Sequence, residues 1–302
     1  FEFLNNKFLF MKTVDQYNFS GKRALIRVDF NVPLDKATLA VTDDTRIKAA
    51  IPTIQKILKD GGSVILMSHL GRPKEGPADK YSLKHTLATV SKLAGVKVKF
   101  ADDCIGDNAR SMAAELKSGE ILLLENLRFY KEEEKGDVAF AEKLAALGDF
   151  YVNDAFGTAH RAHASTAVIA QFFPNSKCFG YVMANEIANA DKVMLKADRP
   201  FTAVMGGAKV SDKILIIEQL MKKVDHLIVG GGMSYTFIKA MGGNIGTSLC
   251  EEDKLDLAKE ILERAKTSGV QIHLPIDSVV ADKFSNDANV KVEKSNQVEA
   301  GW

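Results

Sequence analysis

The amino-acid sequence predicts an α/β fold with mainly parallel sheets that are divided between two lobes. Short runs rich in valine, isoleucine and leucine alternate with helical patterns along the whole chain, which is typical of α/β architecture. Several of these runs are continuously apolar, as expected for parallel strands buried on both faces. The chain has 302 residues, and because one domain usually takes about 150 residues, two sheets are favoured over one.

The predicted strands are the short apolar runs that stand between the helical patterns. In chain order they cover residues 23–32, 63–69, 96–100, 121–125, 150–154, 201–205, 226–229 and 271–275. In open α/β sheets, ligands bind at the carboxyl ends of the strands. The residues that directly follow each run are therefore the first candidates for a functional site.

Three helices are predicted from their start and stop signals. They cover residues 44–60, 82–94 and 251–268, and each is followed by a glycine that ends it. Asp43 or Asp44 is the expected cap of the first helix, and Ser82 is the expected cap of the second. The third opens with three acidic residues, which suit the positive end of a helix dipole.

The chain is expected to divide near a further predicted helix that joins the two lobes. Residues 11–178 form the N-terminal lobe, residues 179–197 the interdomain helix, and residues 198–302 the C-terminal lobe. Residues 1–10 precede Met11, which has the character of a natural start, and they are interpreted as a non-native or extension segment. A tail that touches a membrane or a partner is the alternative interpretation of that segment.

Composition excludes several classes of function. The chain has 40 basic and 39 acidic residues, a balance that argues against a dedicated nucleic-acid binder and a polybasic membrane protein. Cys104, Cys178 and Cys250 are far apart and odd in number, which excludes a disulfide scaffold and favours a reducing cytoplasm. No apolar run reaches the ~18 residues of a membrane span. A cytoplasmic protein with neither nucleic-acid nor membrane partners is therefore expected.

Polar and basic side chains follow the predicted strands of the first lobe. Asp29 and Asn31 alternate with apolar residues, so both can face one side of the first strand end. The basic residues at the strand exits and at the first helix start are Arg46, His69, Arg72, Arg128, Arg161 and His163. Because a guanidinium binds phosphate or carboxylate with two parallel hydrogen bonds, this set predicts a pocket for a small polyanion. A surface ion pair remains the alternative for any single arginine.

Two glycine-rich segments follow predicted strands of the second lobe. In the first, Gly206 and Gly207 precede Lys209 and Lys213, which are four apart and are expected on one face of a helix whose free N–H groups favour phosphate. The second is the segment 230–234, which suits a planar base or a sugar. Neither matches the dinucleotide or Walker A pattern. The two lobes together predict phosphoryl transfer, which depends on charge neutralisation more than on a covalent nucleophile.

Nine stretches of the sequence are similar to phosphoglycerate kinases, and they run in family order. They are RVDFNVPLD at 27–35, TRIKAAIPTI at 45–54, SHLGRP at 68–73, LLLENLRFYKEEE at 122–134, FYVNDAFGTAHRAHAST at 150–166, GGAKVSDKI at 206–214, VGGGMSYTFIKAMG at 229–242, IGTSLCEEDK at 245–254 and LPIDSVVADKF at 274–284. Together they are highly specific, although no single stretch would be.

The resemblance implies a hinge-bending, monomeric enzyme of glycolysis with two Rossmann-like lobes. Its expected reaction is the reversible transfer of a phosphoryl group from 1,3-bisphosphoglycerate to MgADP, which gives 3-phosphoglycerate and MgATP. The N-terminal lobe would bind the phosphoglycerate and the C-terminal lobe the nucleotide. An unrelated binder of sugar phosphates or nucleotides with the same type of fold remains an alternative.

The resemblance also implies roles for individual residues. Asp29 and Asn31 would bind the hydroxyl and carboxylate end of the phosphoglycerate. The residues implied to hold its non-transferred phosphate and its carboxylate are His69, Arg72, Arg128 and Arg161. The catalytic residues implied are Arg46 at the transferring group, Lys209 on the phosphoryl group in the transition state, and Lys213 on the nucleotide phosphates. The residues implied to line the adenine side are Gly207, Gly231, Gly232 and Leu249.

The sequence departs from the family pattern in two respects, the ligand for Mg²⁺ and the C-terminal end of the chain. Family members continue beyond a glycine and tryptophan like Gly301 and Trp302, and that continuation supplies the acidic Mg²⁺ ligand, so no protein ligand for Mg²⁺ is expected before Trp302. Asp277 and Asp282 are interpreted as caps or ion pairs. The second lobe is therefore expected to be incomplete, and a truncated, inactive chain that only binds 3-phosphoglycerate is the alternative function. His160 and His163 have no Glu or Cys companion and are not predicted to bind a metal.

Overall fold

The computed structural model describes residues 12–74, 76–195 and 197–302. The interpretation of residues 1–10 as a non-native or extension segment lies outside these described residues. By contacts the chain divides into two compact units, one ending at Ala190 and the other covering Asp191–Trp302. The prediction of a mixed α/β fold with mainly parallel sheets in two lobes is confirmed.

A six-stranded parallel sheet forms the centre of the first unit. Its strands are β1 Arg23–Val28, β2 Ser63–Met67, β3 Val98–Phe100, β4 Ile121–Leu123, β5 Phe150–Asp154 and β6 Lys177–Phe179. They lie in the order β3-β4-β2-β1-β5-β6. The strands β1 and β2 are central, so the loops that follow them lie next to each other at one edge of the sheet.

Helices cover both faces of this sheet. They are α1 Thr45–Lys59, α2 Leu87–Ala94, α3 Asp107–Ala114, α4 Lys131–Lys135, α5 Val138–Ala145 and α6 Tyr181–Leu195. In β1, Ala24 and Ile26 pack into the core cluster that contains Ile54 of α1, whereas Leu25 packs into the cluster on the other face with Leu144 of α5. Burial on both faces explains why the central strands have continuous apolar sequences.

The signals at the helix ends act largely as the sequence predicts. Asp44 is the N-cap residue of α1 but its side chain makes no capping hydrogen bond, and the side chain of Asp43 instead accepts one from the N–H of Thr45 at 2.9 Å. Ser82 caps the second predicted helix, which begins with a short 3₁₀ turn before α2. Gly95 ends α2 in the left-handed conformation, with φ of +76°, that a glycine adopts without strain.

The first predicted strand is shorter than the sequence suggests. It ends at Val28 rather than at residue 32, because the N–H of Phe30 leaves the strand ladder and donates to the hydroxyl of Ser68 at 2.8 Å. The prediction that Asp29 and Asn31 alternate along the strand is therefore wrong. Both lie in the loop after β1, where the N–H of Asn31 donates to the carboxylate of Asp29 at 3.2 Å.

The second unit contains a three-stranded parallel sheet and two small strand pairs. The sheet has the order β10-β8-β7, with β7 Thr202–Gly206, β8 His226–Gly230 and β10 Gln271–His273. The pairs join β9 Asn244–Ile245 with β13 Gln297–Val298, and β11 Asp277–Ala281 with β12 Val290–Lys294. The helices are α7 Ile214–Met221, α8 Met233–Ala240 and α9 Leu255–Thr267.

One face of the second sheet is packed and the other is exposed. Leu227 and Val229 of β8 are fully buried in a cluster with Phe237 of α8. Val204 of β7 and Ile228 of β8, which point to the opposite face, are exposed. Within the described parts of the chain, no helix is long and apolar enough to cross a membrane.

Candidate functional site

The loop after β1 places a carboxylate against an arginine from α1. Nη1 of Arg46 lies 3.1 Å from Oδ2 of Asp29 and also donates to the backbone oxygen of Asn31 at 3.0 Å. The Arg46 side chain is about half exposed, at 53 %. The loop therefore holds one edge of the guanidinium and leaves the rest accessible to a ligand.

The peptide groups of Gly71 connect the exits of three strands. Its N–H donates to Oδ1 of Asn31 at 2.8 Å, and its carbonyl oxygen accepts a hydrogen bond from Nη1 of Arg128 at 3.0 Å. Gly71 adopts a φ of +64°, and a side chain there would collide with the ring of Tyr81. Arg72 follows directly and is exposed, and among the described residues no hydrogen bond or ion pair holds it.

His69 is buried among cations and is neutral. Its Nδ1 lies 3.1 Å from Nη2 of Arg27, whose guanidinium is fully buried. Burial, and to a smaller extent the positive charges of Arg27 and Arg128, together lower the pKa of His69 to about 2. Because a guanidinium can only donate hydrogen bonds, Nδ1 is the acceptor and Nε2 carries the ring proton.

Arg128 and Arg161 belong to the same group of charges. The Arg128 side chain is 5 % exposed, and its Nε lies 3.2 Å from Oε1 of Glu134. Burial lowers the pKa of Arg128, and so, to a smaller extent, does the charge of Arg161. Nε of Arg161 donates to Nε2 of His160 at 3.2 Å.

We call Arg27, His69, Arg128, Arg161 and His163 the basic cluster. Its mutual repulsion favours an anion as ligand.

Arg27 is the member of this cluster that sequence reasoning missed. It lies within β1, between Ile26 and Val28, where an apolar residue is expected. A single arginine inside an otherwise apolar central strand is the signal that could have found it, because a charge is buried at such a position only when polar groups bind it. His163, which the sequence placed in the pocket, is also buried.

The glycine-rich strand exits of the second unit lie against each other. A Cβ on Gly231, whose φ is +68°, would lie 3.1 Å from the backbone oxygen of Gly207, and a Cβ on Gly232 would lie 3.2 Å from Cδ2 of Leu249. Cε of Lys213 lies near Gly207, at 3.9 Å from the position of its absent Cβ. The predicted nucleotide-binding residues are thus brought together, and Leu249 is 54 % exposed beside them.

Two details of the predicted helix start in this unit are wrong. Lys209 and Lys213 do not share a helix face, because a 3₁₀ turn covers Ser211–Lys213 and α7 begins only at Ile214. The N–H groups of Val210 and Ser211 are not free for phosphate either. Both donate to Oε2 of Glu251, at 2.6 and 3.1 Å respectively. A carboxylate from elsewhere in the chain therefore occupies the position that the sequence assigned to a ligand.

The described residues contain no group of three or more His, Cys, Asp or Glu side chains that could hold a metal ion. Asp282 accepts hydrogen bonds from the backbone and side-chain nitrogens of Asn289, at 3.0 and 2.7 Å, which fits its interpretation as a cap. His160 accepts the hydrogen bond from Arg161 described above.

The first unit also contains a cleft of about 650 Å³. It is lined by residues outside the candidate site, among them Tyr17, Tyr151 and Cys178.

Comparison with known proteins gives one consistent result. The family model named phosphoglycerate kinase matches residues 14–302. A relative from Chloroherpeton thalassium, named phosphoglycerate kinase, is 55 % identical over 96 % of this chain and 72 % of its own length. A chloroplastic phosphoglycerate kinase from Volvox carteri is 55 % identical over 93 % of this chain and 61 % of its own. The solved structure of phosphoglycerate kinase from Coxiella burnetii has a TM-score of 0.81 and 38 % identity, and it covers 96 % of this chain and 72 % of its own.

Proposed function

This chain belongs to the phosphoglycerate kinase family, and we propose that its first unit binds the phosphoglycerate and its second unit the nucleotide. The family catalyses the reversible transfer of a phosphoryl group between 1,3-bisphosphoglycerate and ADP, a step of glycolysis that gives 3-phosphoglycerate and ATP. The comparisons give no support to the alternative, a chain that only binds 3-phosphoglycerate.

The observation that supports this assignment best is the basic cluster beside the Asp29–Arg46 pair. Both lie at the carboxyl edge of the first sheet, where a parallel sheet binds its ligands. A phosphoglycerate carries a phosphate, a carboxylate and a hydroxyl group. The cluster supplies cations for the two anionic groups, and the loop after β1 supplies acceptors for the hydroxyl.

We assign the groups of the substrate as follows. The carboxylate of Asp29 and the amide of Asn31 bind the hydroxyl and the carboxylate end. The residues that bind the non-transferred phosphate and the carboxylate are His69, Arg72, Arg128 and Arg161. Neutral His69 donates through Nε2, and the guanidinium groups donate in pairs, which suits phosphate. Arg46, held on one edge by Asp29, directs its free N–H groups at the phosphoryl group that is transferred.

In the second unit, the assigned nucleotide-binding residues are Gly207, Lys213, Gly231, Gly232 and Leu249. The glycines expose backbone on a flat surface, and Leu249 offers an apolar contact for the base. Lys213, beside Gly207, is assigned to the nucleotide phosphates, and exposed Lys209 to the developing charge of the phosphoryl group. Phosphoryl transfer has little covalent chemistry for a protein to perform, so these cations act by neutralising charge.

The family uses its nucleotide with Mg²⁺, which neutralises phosphate charge when it is bound. The described residues do not form a metal cage, so we assign no side chain of this chain to Mg²⁺ and derive no step through it. The separate cysteines support a cytoplasmic location, and the family resemblance supports a monomer.

Titration calorimetry with each substrate separately tests the assignment. Arg161→Ala is expected to weaken 3-phosphoglycerate binding about 10- to 100-fold, because a hydrogen-bonded charge is lost, and to leave ATP binding unchanged. Lys213→Ala is expected to do the reverse. Arg110→Ala, which removes an exposed arginine of α3, is the matched control for charge. A wild-type chain that binds neither substrate, or an Arg161→Ala variant that weakens only ATP binding, would contradict the proposal.

A further inference from the structure

Glu133 has a buried carboxylate that lies behind the basic cluster. It is not among the residues proposed above to contact the substrate. It lies in α4 and has no exposed surface. Its Oε2 accepts a hydrogen bond from the N–H of Ser165 at 3.0 Å, and its Oε1 accepts one from the Ser165 hydroxyl at 2.6 Å. A carboxylate buried so completely is costly unless it is hydrogen-bonded and balanced by nearby positive charge.

The balancing charge reaches Glu133 through one hydroxyl group. Oγ of Ser165 donates to Glu133 and accepts a hydrogen bond from Nε of Arg27 at 2.9 Å, which a hydroxyl can do simultaneously. Burial lowers the pKa of Arg27, and the negative charge of Glu133 is the largest effect that opposes this. The carboxylate therefore favours the charged form of a guanidinium that has no contact with solvent.

Arg27 in turn fixes the ring of His69. Its Nη2 lies 3.1 Å from Nδ1 of His69, so the lone pair of Nδ1 is used and the proton is on Nε2. Glu133, Ser165, Arg27 and His69 thus form a chain of hydrogen bonds from the interior to the edge of the sheet. The orientation of the last donor depends on the charge of the first residue.

We propose that Glu133 is a positioning residue of the phosphoglycerate site, which holds Arg27 through Ser165 and thereby keeps His69 in the Nε2–H form. Glu133 also anchors the segment that carries Arg161, since its backbone oxygen accepts a hydrogen bond from the N–H of Ala164 at 3.0 Å. This inference rests on the proposed function, because it takes His69 and Arg161 as contacts of 3-phosphoglycerate.

Glu133→Gln is the primary test, because it removes the charge and preserves the shape. Its amide must donate where the carboxylate accepted, so the Ser165 hydroxyl loses its acceptor and Arg27 loses the larger of the two carboxylate charges that favour its charged form. We expect the Kd for 3-phosphoglycerate to rise about tenfold and the Kd for ATP to change less than about twofold. Glu132→Gln is the matched control, because it removes the same charge from an exposed position of the same helix.

The ring of His69 provides a readout that a merely structural role would not move. In long-range ¹H–¹⁵N correlation spectra, the wild-type chain is expected to show His69 as the Nε2–H tautomer only. Glu133→Gln is expected to add the Nδ1–H tautomer or to raise the pKa of His69, whereas Glu132→Gln is expected to leave the ring unchanged. An unaltered His69 spectrum together with an unaltered Kd for 3-phosphoglycerate in folded Glu133→Gln protein overturns the inference.

Ser165→Ala keeps the inference testable if Glu133→Gln does not fold. It retains the buried carboxylate and the N–H bond but breaks the connection to Arg27, and it is expected to change the His69 ring and to weaken 3-phosphoglycerate binding in the same direction. Wild-type behaviour of Ser165→Ala overturns the inference. Failure of this inference can be distinguished from failure of the proposed function. If only the inference is wrong, Arg161→Ala still weakens 3-phosphoglycerate binding. If the proposed function is wrong, the wild-type chain does not bind 3-phosphoglycerate.

Discussion

The carboxylate of Glu251 is held by Ser211, forty residues earlier in the chain, through both the backbone and the side chain. Ser211 N–H donates to Oε2 at 3.1 Å and the Ser211 hydroxyl donates to Oε1 at 2.5 Å. Burial opposes the ionisation of Glu251, but these bonds and the one from Val210 outweigh it and lower the pKa of the carboxyl group. These hydrogen bonds fix the backbone at Val210 and Ser211, at the beginning of the 3₁₀ turn that contains Lys213.

Glu251→Gln is expected to destabilise the second unit by about 1 kcal/mol at pH 7, the usual cost of losing a cap. Because the pKa of Glu251 is lowered in the folded state, its contribution is present above the ordinary value of 4.5 and is lost as the pH falls through the folded value. The difference between wild type and variant should therefore shrink towards pH 3.

This difference in the free energy of unfolding is measured by urea denaturation. Unfolding of the second unit is monitored by the fluorescence of Trp302, the one tryptophan of the sequence. Glu263→Gln, an exposed substitution in α9, is the control and is expected to leave the unfolding midpoint unchanged. A difference between Glu251→Gln and wild type that grows on acidification would show that the carboxylate does not act as a cap.

His69 is expected to remain neutral throughout the physiological pH range. Its pKa is lowered to about 2, first by burial and then by the neighbouring cations, whereas the unfolded chain takes up a proton near pH 6.5. Below pH 6.5 the unfolded state therefore binds more protons at this position. The stability of the first unit should fall on acidification by at most about 1.4 kcal/mol per pH unit from His69 alone.

An NMR titration of the His69 ring measures this directly. Its Cε1–H resonance is expected to stay constant between pH 8 and pH 5, and His69→Gln spectra identify the resonance among those of the six histidines. A His69 titration with a midpoint near 6.5 would contradict the burial and the cationic surroundings described here.

The sequence predicted those features that depend on neighbouring residues in the chain. The central strands of the first sheet are buried on both faces and therefore have apolar sequences that identify them. The strands β6, β9, β11, β12 and β13 were missed. The strand β6 has three residues, and β9 and β13 have two each. The strands β11 and β12 form an antiparallel hairpin in which Val279 and Val292 are exposed, so burial leaves no clear pattern in their sequences.

Most basic residues of the candidate site were predictable from the sequence, but buried Arg27 and the hydrogen bonds within the site were not. Arginines after strands indicate an anion pocket, and the structure brings Asn31, Gly71 and Arg128 into one hydrogen-bonded group. The acid Glu251 suggested a local helix start, yet it binds Ser211, which lies forty positions earlier in the chain. No spacing rule detects such a pair, because tertiary folding alone brings the two segments together.

Gly180→Ala is expected to destabilise the first unit by about 1–3 kcal/mol. A Cβ at this position would collide with the carboxylate of Asp154, which lies at the end of β5 and accepts a hydrogen bond from the N–H of Val182 at 2.8 Å. Gly180 does not have a positive φ, so the cost comes from the collision. The carboxylate cannot move away without losing its bond to the start of α6.

A double-mutant cycle checks the cause. Because Asp154→Ala removes the colliding group, Gly180→Ala should cost much less in that background, and the two changes should be non-additive. Gly206→Ala is the control, since its Cβ would meet its nearest neighbour at an ordinary 3.8 Å. Equal costs of Gly180→Ala with and without Asp154 would exclude the collision as the reason.

Arg46→Ala and Lys209→Ala are expected to lower kcat about 10²- to 10³-fold while KM for either substrate changes only a few-fold. Both side chains are exposed, and we assign them to charge that develops on the phosphoryl group only in the transition state. Loss of an interaction made only in the transition state lowers kcat and kcat/KM together.

Steady-state kinetics in the direction of ATP consumption measure both parameters. Lys48→Ala and Lys222→Ala, which remove exposed cations outside the site, are the controls. If Arg46→Ala instead raised KM for 3-phosphoglycerate and left kcat intact, Arg46 would bind the ground state, and its pairing with Asp29 would serve affinity rather than transfer.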